Sequence, residues 1–313
     1  MSRFLSGHPA VCFSRPKEPH WFSQADLAAF SGEKLRRVVA VNYLARFFPE
    51  IPANAQVIAE ASVSYLYAPE MLLPVLRLWP EAKFVIAVRD PFELIPSIHQ
   101  RLLYQGDESV EDLERAWRLI GERRAGRKIP RSCVEPRQLL LDEVASLGKY
   151  VERFFEVIGR ERCHVVVFDD LKADPARVYA GLLEFLGLPA AELPEEKQHR
   201  ASQGFKIGWL QRLLKRPPVA RTALAGENLR LRTSPKPHHD PSWMVRKLMG
   251  LRTALLRWNR TTAPQVAMSP WLQQDIRDRL QGDVALLSKL LGRDLSHWLG
   301  GARTERRAFE EAA

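Results

Sequence analysis

The sequence predicts an α/β fold in which a parallel sheet is flanked by helices. Three runs, at 56–59, 83–88 and 163–168, are short, continuous and rich in Val, Ile and Phe, as is typical of strands buried on both faces. Polar residues and then a helical pattern follow each run. Strands that alternate with helices favour a parallel sheet with helices on its faces.

The helices are predicted from their start signals. An N-cap residue followed by Pro or by an acid three positions on is typical of a first helical turn. The third of these helices closes at Gly187 and the fourth ends near Leu291. The four starts are Asp90-Pro91-x-Glu93, Ser109-x-x-Asp112 (a charged helix to about Arg124), Asp174-Pro175 and Ser269-Pro270.

The chain is predicted to form one domain over residues 1–313. Its 313 residues are 46% hydrophobic and 27% charged, which indicates a soluble globular protein and excludes collagenous and disordered classes. We expect an α/β core over 1–187 and a mostly helical part over 188–313. The second part contains a Pro-rich, basic loop at 216–241.

The positive charge is concentrated in one segment. Lys and Arg number 47 against 37 Asp and Glu, a net charge of +10. Residues 197–260 hold 15 Lys and Arg but only Glu227 and Asp240 as acids. This segment is therefore expected to meet an anionic partner.

Cysteine usage and hydropathy predict a cytoplasmic protein without a metal. Cys12, Cys133 and Cys163 are odd in number and show no spacing of a metal or redox pair. No apolar run approaches the roughly 18 residues of a membrane span, and no signal peptide is recognisable. The one candidate cluster, His238-His239-Asp240, fits no known zinc pattern.

The strongest chemical motif is a strand followed by Arg89, Asp90-Pro91 and then Ser97. Arg89 would lie at the carboxyl edge of the sheet, where ligands of open α/β folds bind. The start of the next helix supplies free N–H groups and a dipole that favours an anion. The pattern therefore predicts a phosphate site, with Arg89 and Ser97 as ligands. The alternative is a structural ion pair of Arg89 and a solvent-facing Ser97.

Here the sequence resembles the sulfotransferases that use 3′-phosphoadenosine 5′-phosphosulfate (PAPS). The Arg-Asp-Pro-x5-Ser pattern is similar to their 3′-phosphate motif, and further segments match in the family's order between residues 4 and 187. Within the family, the resemblance is to the bacterial and heparan-sulfate type. These segments are Gly7-His8-Pro9, Lys17-Glu18-Pro19-His20-Trp21-Phe22, Glu60-Ala61-Ser62-Val63-Ser64-Tyr65-Leu66, Phe168-Asp169-Asp170-Leu171 with Asp174-Pro175, and Phe185-Leu186-Gly187.

The resemblance implies a fold and a set of roles. The fold would be that of P-loop nucleoside-triphosphate hydrolases, and residues 1–187 would bind the cofactor. Arg89 and Ser97 would bind the 3′-phosphate of PAPS. Glu18 matches the family's general base, Lys17 could keep it ionised, and His20 is a rival base. The alternative for Lys17 and Glu18 is a solvated surface pair.

Two departures from the family stand out. Relatives begin with a strand and a loop of the type G-x-x-K/R-x-G-T-T that grips the 5′-phosphosulfate, whereas this chain starts at Met1-Ser2-Arg3-Phe4-Leu5. We expect that an upstream start was missed and that the fold is N-terminally truncated as given; the alternative is an inactive, truncated chain. Relatives also carry Lys and Pro where this chain has Ala61 and Val63.

The implied reaction is in-line transfer of a sulfo group from PAPS to a hydroxyl or amine of a carbohydrate or glycoconjugate, which leaves 3′,5′-phosphoadenosine (PAP) and needs no metal. Acceptor selectivity would reside in 30–52 and 200–240. The basic segment could line the acceptor groove for an anionic glycan.

An apolar stripe at helical spacing lies within 242–260, among basic residues. Packing on the core is the favoured interpretation. The alternative is a peripheral contact with an anionic membrane, which would suit a lipid-linked acceptor at the inner membrane face. Nucleic-acid binding is the rival class, but no DNA- or RNA-binding signature is present. The stripe consists of Met244, Leu248, Leu251, Leu255 and Trp258.

Overall fold

The computed structural model describes residues 2–194, 203–216, 243–263 and 266–300. It divides into two compact units. The first comprises residues 1–89, 149–197 and 232–235, and the second comprises 90–148, 198–231 and 236–313. The predicted loop at 216–241, apart from its first residue, lies outside the described residues. The prediction of one domain stays a prediction.

The strands are short and pair in twos. In the first unit β1 pairs with β2 and β3 pairs with β4, both in parallel; in the second unit β5 pairs with β6 in antiparallel. The three predicted strands are confirmed as β2, β3 and β4, each within one residue of its expected bounds. The strands are β1 (Val11–Phe13), β2 (Val57–Ala59), β3 (Phe84–Val88), β4 (Cys163–Val167), β5 (Gln203–Phe205) and β6 (Arg260–Thr262).

The rest of the described chain is mainly helical. Single 3-10 turns lie at Val63–Tyr67, Pro69–Leu72, Pro136–Leu139, Arg160–Arg162 and Ser296–Trp298, and a π turn lies at Ala40–Leu44. The α-helices are α1 (Ser2–Ser6), α2 (Gly32–Val39), α3 (Ala45–Phe47), α4 (Leu73–Leu78), α5 (Pro91–Gln105), α6 (Leu113–Arg118), α7 (Ile120–Arg124), α8 (Leu141–Ala145), α9 (Leu147–Ile158), α10 (Phe168–Ala173), α11 (Pro175–Leu186), α12 (Gly208–Lys215), α13 (Trp243–Asn259) and α14 (Pro270–Leu291).

In the first unit, α11 packs its apolar face against α1 and β1. Its predicted bounds are confirmed: the Asp174 carboxylate accepts the Arg177 N–H at 2.9 Å, and Gly187 ends the helix at φ +72°. Left-handed backbone of this kind favours glycine. The buried cluster holds the beginning of β1 against α1 and α11. Its members are Phe4, Leu5, Ala10, Val11, Tyr179, Leu182, Leu183 and Leu188.

In the second unit, α14 buries one apolar face. Its start is capped as predicted, since the Ser269 hydroxyl accepts the Leu272 N–H at 3.2 Å. A hydrogen bond links α14 to α6: the Trp117 indole N–H donates to the Asp275 carboxylate at 2.6 Å. The core residues repeat every three or four positions, as one face of a helix requires: Leu272, Ile276, Leu280, Val284 and Leu287.

The charged helix predicted from Ser109 is wrong at its start and breaks in the middle. The cap is Asp112, whose carboxylate accepts the Arg115 N–H at 2.7 Å, and α6 ends at Arg118 before α7 begins. Ser109 is held in a turn because the carboxylate of Glu108 accepts its N–H at 2.7 Å. Glu108 is itself paired at 2.7 Å with buried Arg123.

The prediction that the apolar stripe of α13 packs on the core is wrong for three of its residues. Leu248, Leu251 and Trp258 are all more than half exposed. The helix is nevertheless too polar for a membrane span, and none of the helices in the described ranges is long and apolar enough to cross a bilayer.

Candidate active site

The Lys-Glu-Pro-His segment of the first unit lies in the loop after β1. The backbone carbonyl of Lys17 accepts the Ser14 hydroxyl at 3.2 Å and the Ala61 N–H at 3.2 Å. The first bond closes the loop on itself, and the second docks it on the segment that follows β2. Because β1 and β2 are parallel neighbours, the loop and that segment leave the sheet at the same edge.

Glu18 lies between two basic side chains. Its carboxylate is 3.2 Å from the Lys17 Nζ and 3.5 Å from the His20 Nε2. The interaction with His20, followed by that with Lys17, holds the pKa of Glu18 below its usual value, although partial burial acts in the opposite direction. Glu18 is therefore a carboxylate that stays ionised while a third of its side chain remains open to solvent.

His20 is fixed by two serines of the segment after β2. Its backbone N–H donates to the Ser62 Oγ at 2.9 Å, and its Nδ1 lies 2.8 Å from the Ser64 Oγ. A carboxylate can only accept, so the Nε2 atom that faces Glu18 carries a proton, while the Ser64 hydroxyl can act as donor or acceptor towards Nδ1. His20 adopts φ +51°, a left-handed conformation that these bonds maintain.

Behind these serines lies a carboxylate whose role the sequence did not reveal. Glu60 accepts hydrogen bonds from the hydroxyls of Ser62 at 2.5 Å, Tyr65 at 2.6 Å and Tyr43 at 3.0 Å. Burial raises the pKa of Glu60 more than these three donors lower it. Burial and the neighbouring carboxylate also raise the pKa of both tyrosines. Glu60 thus orients Ser62, which in turn holds His20.

A cleft of about 420 Å³ lies beside Lys17 in the first unit. Its lining includes Arg3, Arg15 and Lys17, all exposed, and one acid, Glu50. Three cations around an open cleft attract an anionic group. The cleft therefore presents a basic surface that includes Lys17, the neighbour of Glu18 in the chain.

Arg89 lies at the carboxyl end of β3, as the motif predicts. Its guanidinium stacks 4.5 Å from the centre of the Phe168 ring, and the Lys172 Nζ lies 5.2 Å from the same ring. Phe168 follows β4 directly, and β4 is the parallel partner of β3. Two cations therefore gather where these two strands end.

Ser97 belongs to the second unit, on α5. The start of this helix is capped as predicted, because the Asp90 carboxylate accepts the Phe92 N–H at 2.8 Å. Ser97 is half-buried in the second turn of the helix. Arg89 and Ser97 fall in different units, so their joint binding of a phosphate stays a prediction.

Among the residues that the structure describes, no group of three or more His, Cys, Asp and Glu side chains could hold a metal ion. The candidate cluster at 238–240 lies outside them.

Comparisons with known proteins identify the family of the chain. The model of the sulfotransferase family matches residues 1–192. Bifunctional heparan sulfate N-deacetylase/N-sulfotransferase 1 of Caenorhabditis briggsae is 25% identical over 215 residues, which are 66% of this chain and 23% of that protein. The chain thus spans less than a quarter of the length of this relative.

Among solved structures, a sulfotransferase from Alicyclobacillus acidocaldarius matches with a TM-score of 0.58 and 20% identity, covering 95% of this chain and 91% of that one. The match confirms the predicted α/β sulfotransferase fold.

Proposed function

Because the chain belongs to the sulfotransferase family, we propose that it moves the sulfo group of PAPS to a hydroxyl or amine of a carbohydrate or glycoconjugate. The heparan sulfate relative supports a carbohydrate acceptor. The exposed stripe of α13 supports acceptors carried on a lipid. The proposed place of action is the cytoplasm, at the inner membrane face.

The observation that carries this proposal is the ionised carboxylate of Glu18 between Lys17 and His20. In the proposed step, the acceptor oxygen or nitrogen attacks the sulfur as Glu18 takes its proton. The bond between sulfur and the bridging phosphate oxygen breaks, and PAP leaves with that electron pair. An alcohol is a poor nucleophile until its proton is being removed, so such a base is required.

Lys17 and His20 would support Glu18 in different ways. Lys17 is exposed beside the basic cleft and would offset negative charge on the transferring group. His20 already engages Ser64 through Nδ1 and faces Glu18 through Nε2. This arrangement favours His20 as the residue that positions Glu18 and favours Glu18 as the base.

Arg89 and Ser97 are proposed to bind the 3′-phosphate of PAPS. The planar guanidinium of Arg89 suits bidentate binding of phosphate, and its stacking on Phe168 restrains the side chain. Lys172 lies over the same ring, and the Asp169 carboxylate, 3.2 Å from its Nζ, offsets its charge. Ser97 would contribute its hydroxyl from α5.

The test is transfer of radiolabelled sulfo groups from PAPS to heparosan, which offers hydroxyls, and to its de-N-acetylated form, which also offers amines. We expect Glu18→Gln to lower kcat by about 10²–10⁴-fold, the usual contribution of a general base. Glu33→Gln, an exposed carboxylate on α2, is the matched control and should keep wild-type rates.

His20→Ala separates the two roles. If His20 only positions Glu18, the His20→Ala variant keeps Glu18 as a base that ionises well below pH 7. The variant should then be slower, but its rate should still fall with acid below about pH 5. Full activity of Glu18→Gln together with loss in His20→Ala would reverse the assignment. Failure of the wild type to label either glycan would contradict the proposed acceptor class.

A further inference from the structure

Two helices of the second unit expose a concentration of large apolar side chains. We call it the α12–α13 surface: Trp209 and Leu213 of α12, and Trp243, Leu248, Leu251 and Trp258 of α13. Each is 47–62% exposed. Trp243, Leu251 and Trp258 are spaced by eight and seven residues, so they share one face of α13.

The two helices form one preformed element. Asn259, which is fully buried, accepts the Ile207 N–H at 2.9 Å and donates to the Ile207 carbonyl at 3.1 Å. Arg252 donates to the Leu214 carbonyl at 2.7 Å. The β5–β6 ladder joins the start of α12 to the end of α13. The apolar side chains are thus presented together.

The same element is strongly basic. Segments 203–216 and 243–263 contain nine Lys and Arg and no Asp or Glu. Lys247 lies over the Trp243 ring at 4.8 Å, and Lys206 lies over the Trp258 ring at 5.2 Å. Burial, followed by nearby arginines, lowers the pKa of Lys215. The Lys215 cation lies among like charges, and an external anion would reduce the repulsion between them.

We propose that the α12–α13 surface docks on an anionic phospholipid bilayer. Apolar side chains on a rigid helix pair can insert at the boundary of headgroups and acyl chains, while the adjoining cations meet lipid phosphates. Tryptophan is the side chain enriched at that depth. The inference does not depend on the proposed sulfo transfer.

Other occupants fit these observations less well. A glycan or a nucleic acid would satisfy the cations but leave Leu213, Leu248 and Leu251 without an apolar partner. A second copy of the chain would set the same cations against each other, which like charges disfavour. Only a surface that is both anionic and apolar complements both properties.

The test is flotation of the full chain with vesicles at about 0.1 M NaCl, where charge attraction is still appreciable. One set of vesicles is phosphatidylcholine alone, and the other contains a quarter of phosphatidylglycerol. The wild type should float only with the anionic set. The double variant Leu251→Gln/Trp258→Ser should lose at least about tenfold in apparent affinity. The pair Leu73→Gln/Trp79→Ser removes exposed apolar groups of the first unit and should float normally.

Circular dichroism of each variant confirms folding, and sulfo transfer to a soluble acceptor should be the same in both double variants. No flotation of the wild type, equal flotation with neutral vesicles, or normal flotation of Leu251→Gln/Trp258→Ser would overturn the proposal. Two further results would overturn the proposal. One is a concentration-dependent dimer of the wild type that Leu251→Gln/Trp258→Ser abolishes. The other is binding of DNA, unchanged in this variant, by a protein that binds no vesicles.

Discussion

At the scale of single residues, two carboxylates of the first unit lie in opposite environments. Glu18 faces Lys17 and His20, and its pKa is lowered. Glu60 is buried among hydroxyl donors, and its pKa is raised because burial outweighs those donors. Carboxylates whose pKa values are driven apart commonly divide roles between them. Here Glu18 suits proton uptake and Glu60 suits a structural role behind Ser62 and His20.

These opposite shifts predict opposite effects of pH on stability. The contribution of Glu18 is present above its unfolded-state pKa and is lost as the pH falls through its lowered folded-state pKa. Glu60 favours the protonated form, so its contribution is lost as the pH rises through its raised pKa. As the pH rises to about 4.5, the ordinary glutamate pKa, the free energy of unfolding of the wild type should increase relative to that of Glu18→Gln and then stay level. From about pH 4.5 upwards it should decrease relative to that of Glu60→Gln.

Urea unfolding of the three proteins at several pH values measures both differences. Glu33→Gln, whose carboxylate is exposed, should track the wild type throughout. Parallel curves for Glu18→Gln and Glu60→Gln would show that the two environments do not differ in the way described.

The sequence predicts part of this site and cannot predict the rest. Lys17, Glu18 and His20 are near neighbours in the chain, so their proximity needs little of the fold. Glu60 receives one hydroxyl from a residue 17 positions away, and His20 meets Ser64 across 44 positions. Such contacts exist only once β1 and β2 pair. A glutamate directly after a strand, within a segment that resembles the family's, was the available signal.

At the scale of elements, local chemistry explains what was predicted and tertiary pairing explains what was missed. The helices capped by Asp90, Asp174 and Ser269 have their cap bonds. The strands β1, β2, β5 and β6 have three residues each, too few for a periodic signal, and only β2 was predicted, from the apolar run at 56–59. Their partners, not their own residues, make them strands.

The clamp between α12 and α13 gives a prediction at this scale. Asn259→Ala removes both bonds to the backbone of Ile207. A buried backbone group left unpaired costs about 1–3 kcal/mol, so the Ile207 amide should exchange its hydrogen at least about fivefold faster. Asn54→Ala, an exposed asparagine of the first unit with one bond to the Pro9 carbonyl, is the control. Unchanged exchange at Ile207 would show that the β5–β6 ladder alone holds the element.

At the scale of the whole molecule, the net positive charge belongs mainly to two segments of the sequence. The nine cations of segments 203–216 and 243–263, taken from the 47 Lys and Arg, leave 38 against all 37 Asp and Glu. The remainder of the chain is thus nearly neutral. The proposed nucleotide binding in the first unit is then expected to depend on placed cations such as Arg89, and not on a general field.

That dependence is testable in the thermal unfolding of the whole chain with nucleotides. PAP carries the 3′-phosphate, whereas 5′-AMP lacks it, so the difference between their effects isolates that group. At about a hundredfold excess over its dissociation constant, PAP should add about 2.7 kcal/mol of stability and raise Tm by several degrees more than 5′-AMP does. Arg89→Ala should reduce the PAP shift to that of 5′-AMP, and Ser97→Ala should reduce it in part.

Arg36→Ala removes an exposed arginine of α2 in the same unit and should leave the PAP shift intact. Because placed cations, and not total charge, are argued to bind the nucleotide, equal losses in Arg36→Ala and Arg89→Ala would contradict the argument. Equal shifts by PAP and 5′-AMP in the wild type would contradict a 3′-phosphate site altogether. If the PAP shift in Tm is lost only in the Arg89 and Ser97 variants, the strand-Arg-Asp-Pro-x5-Ser pattern binds the 3′-phosphate, as proposed.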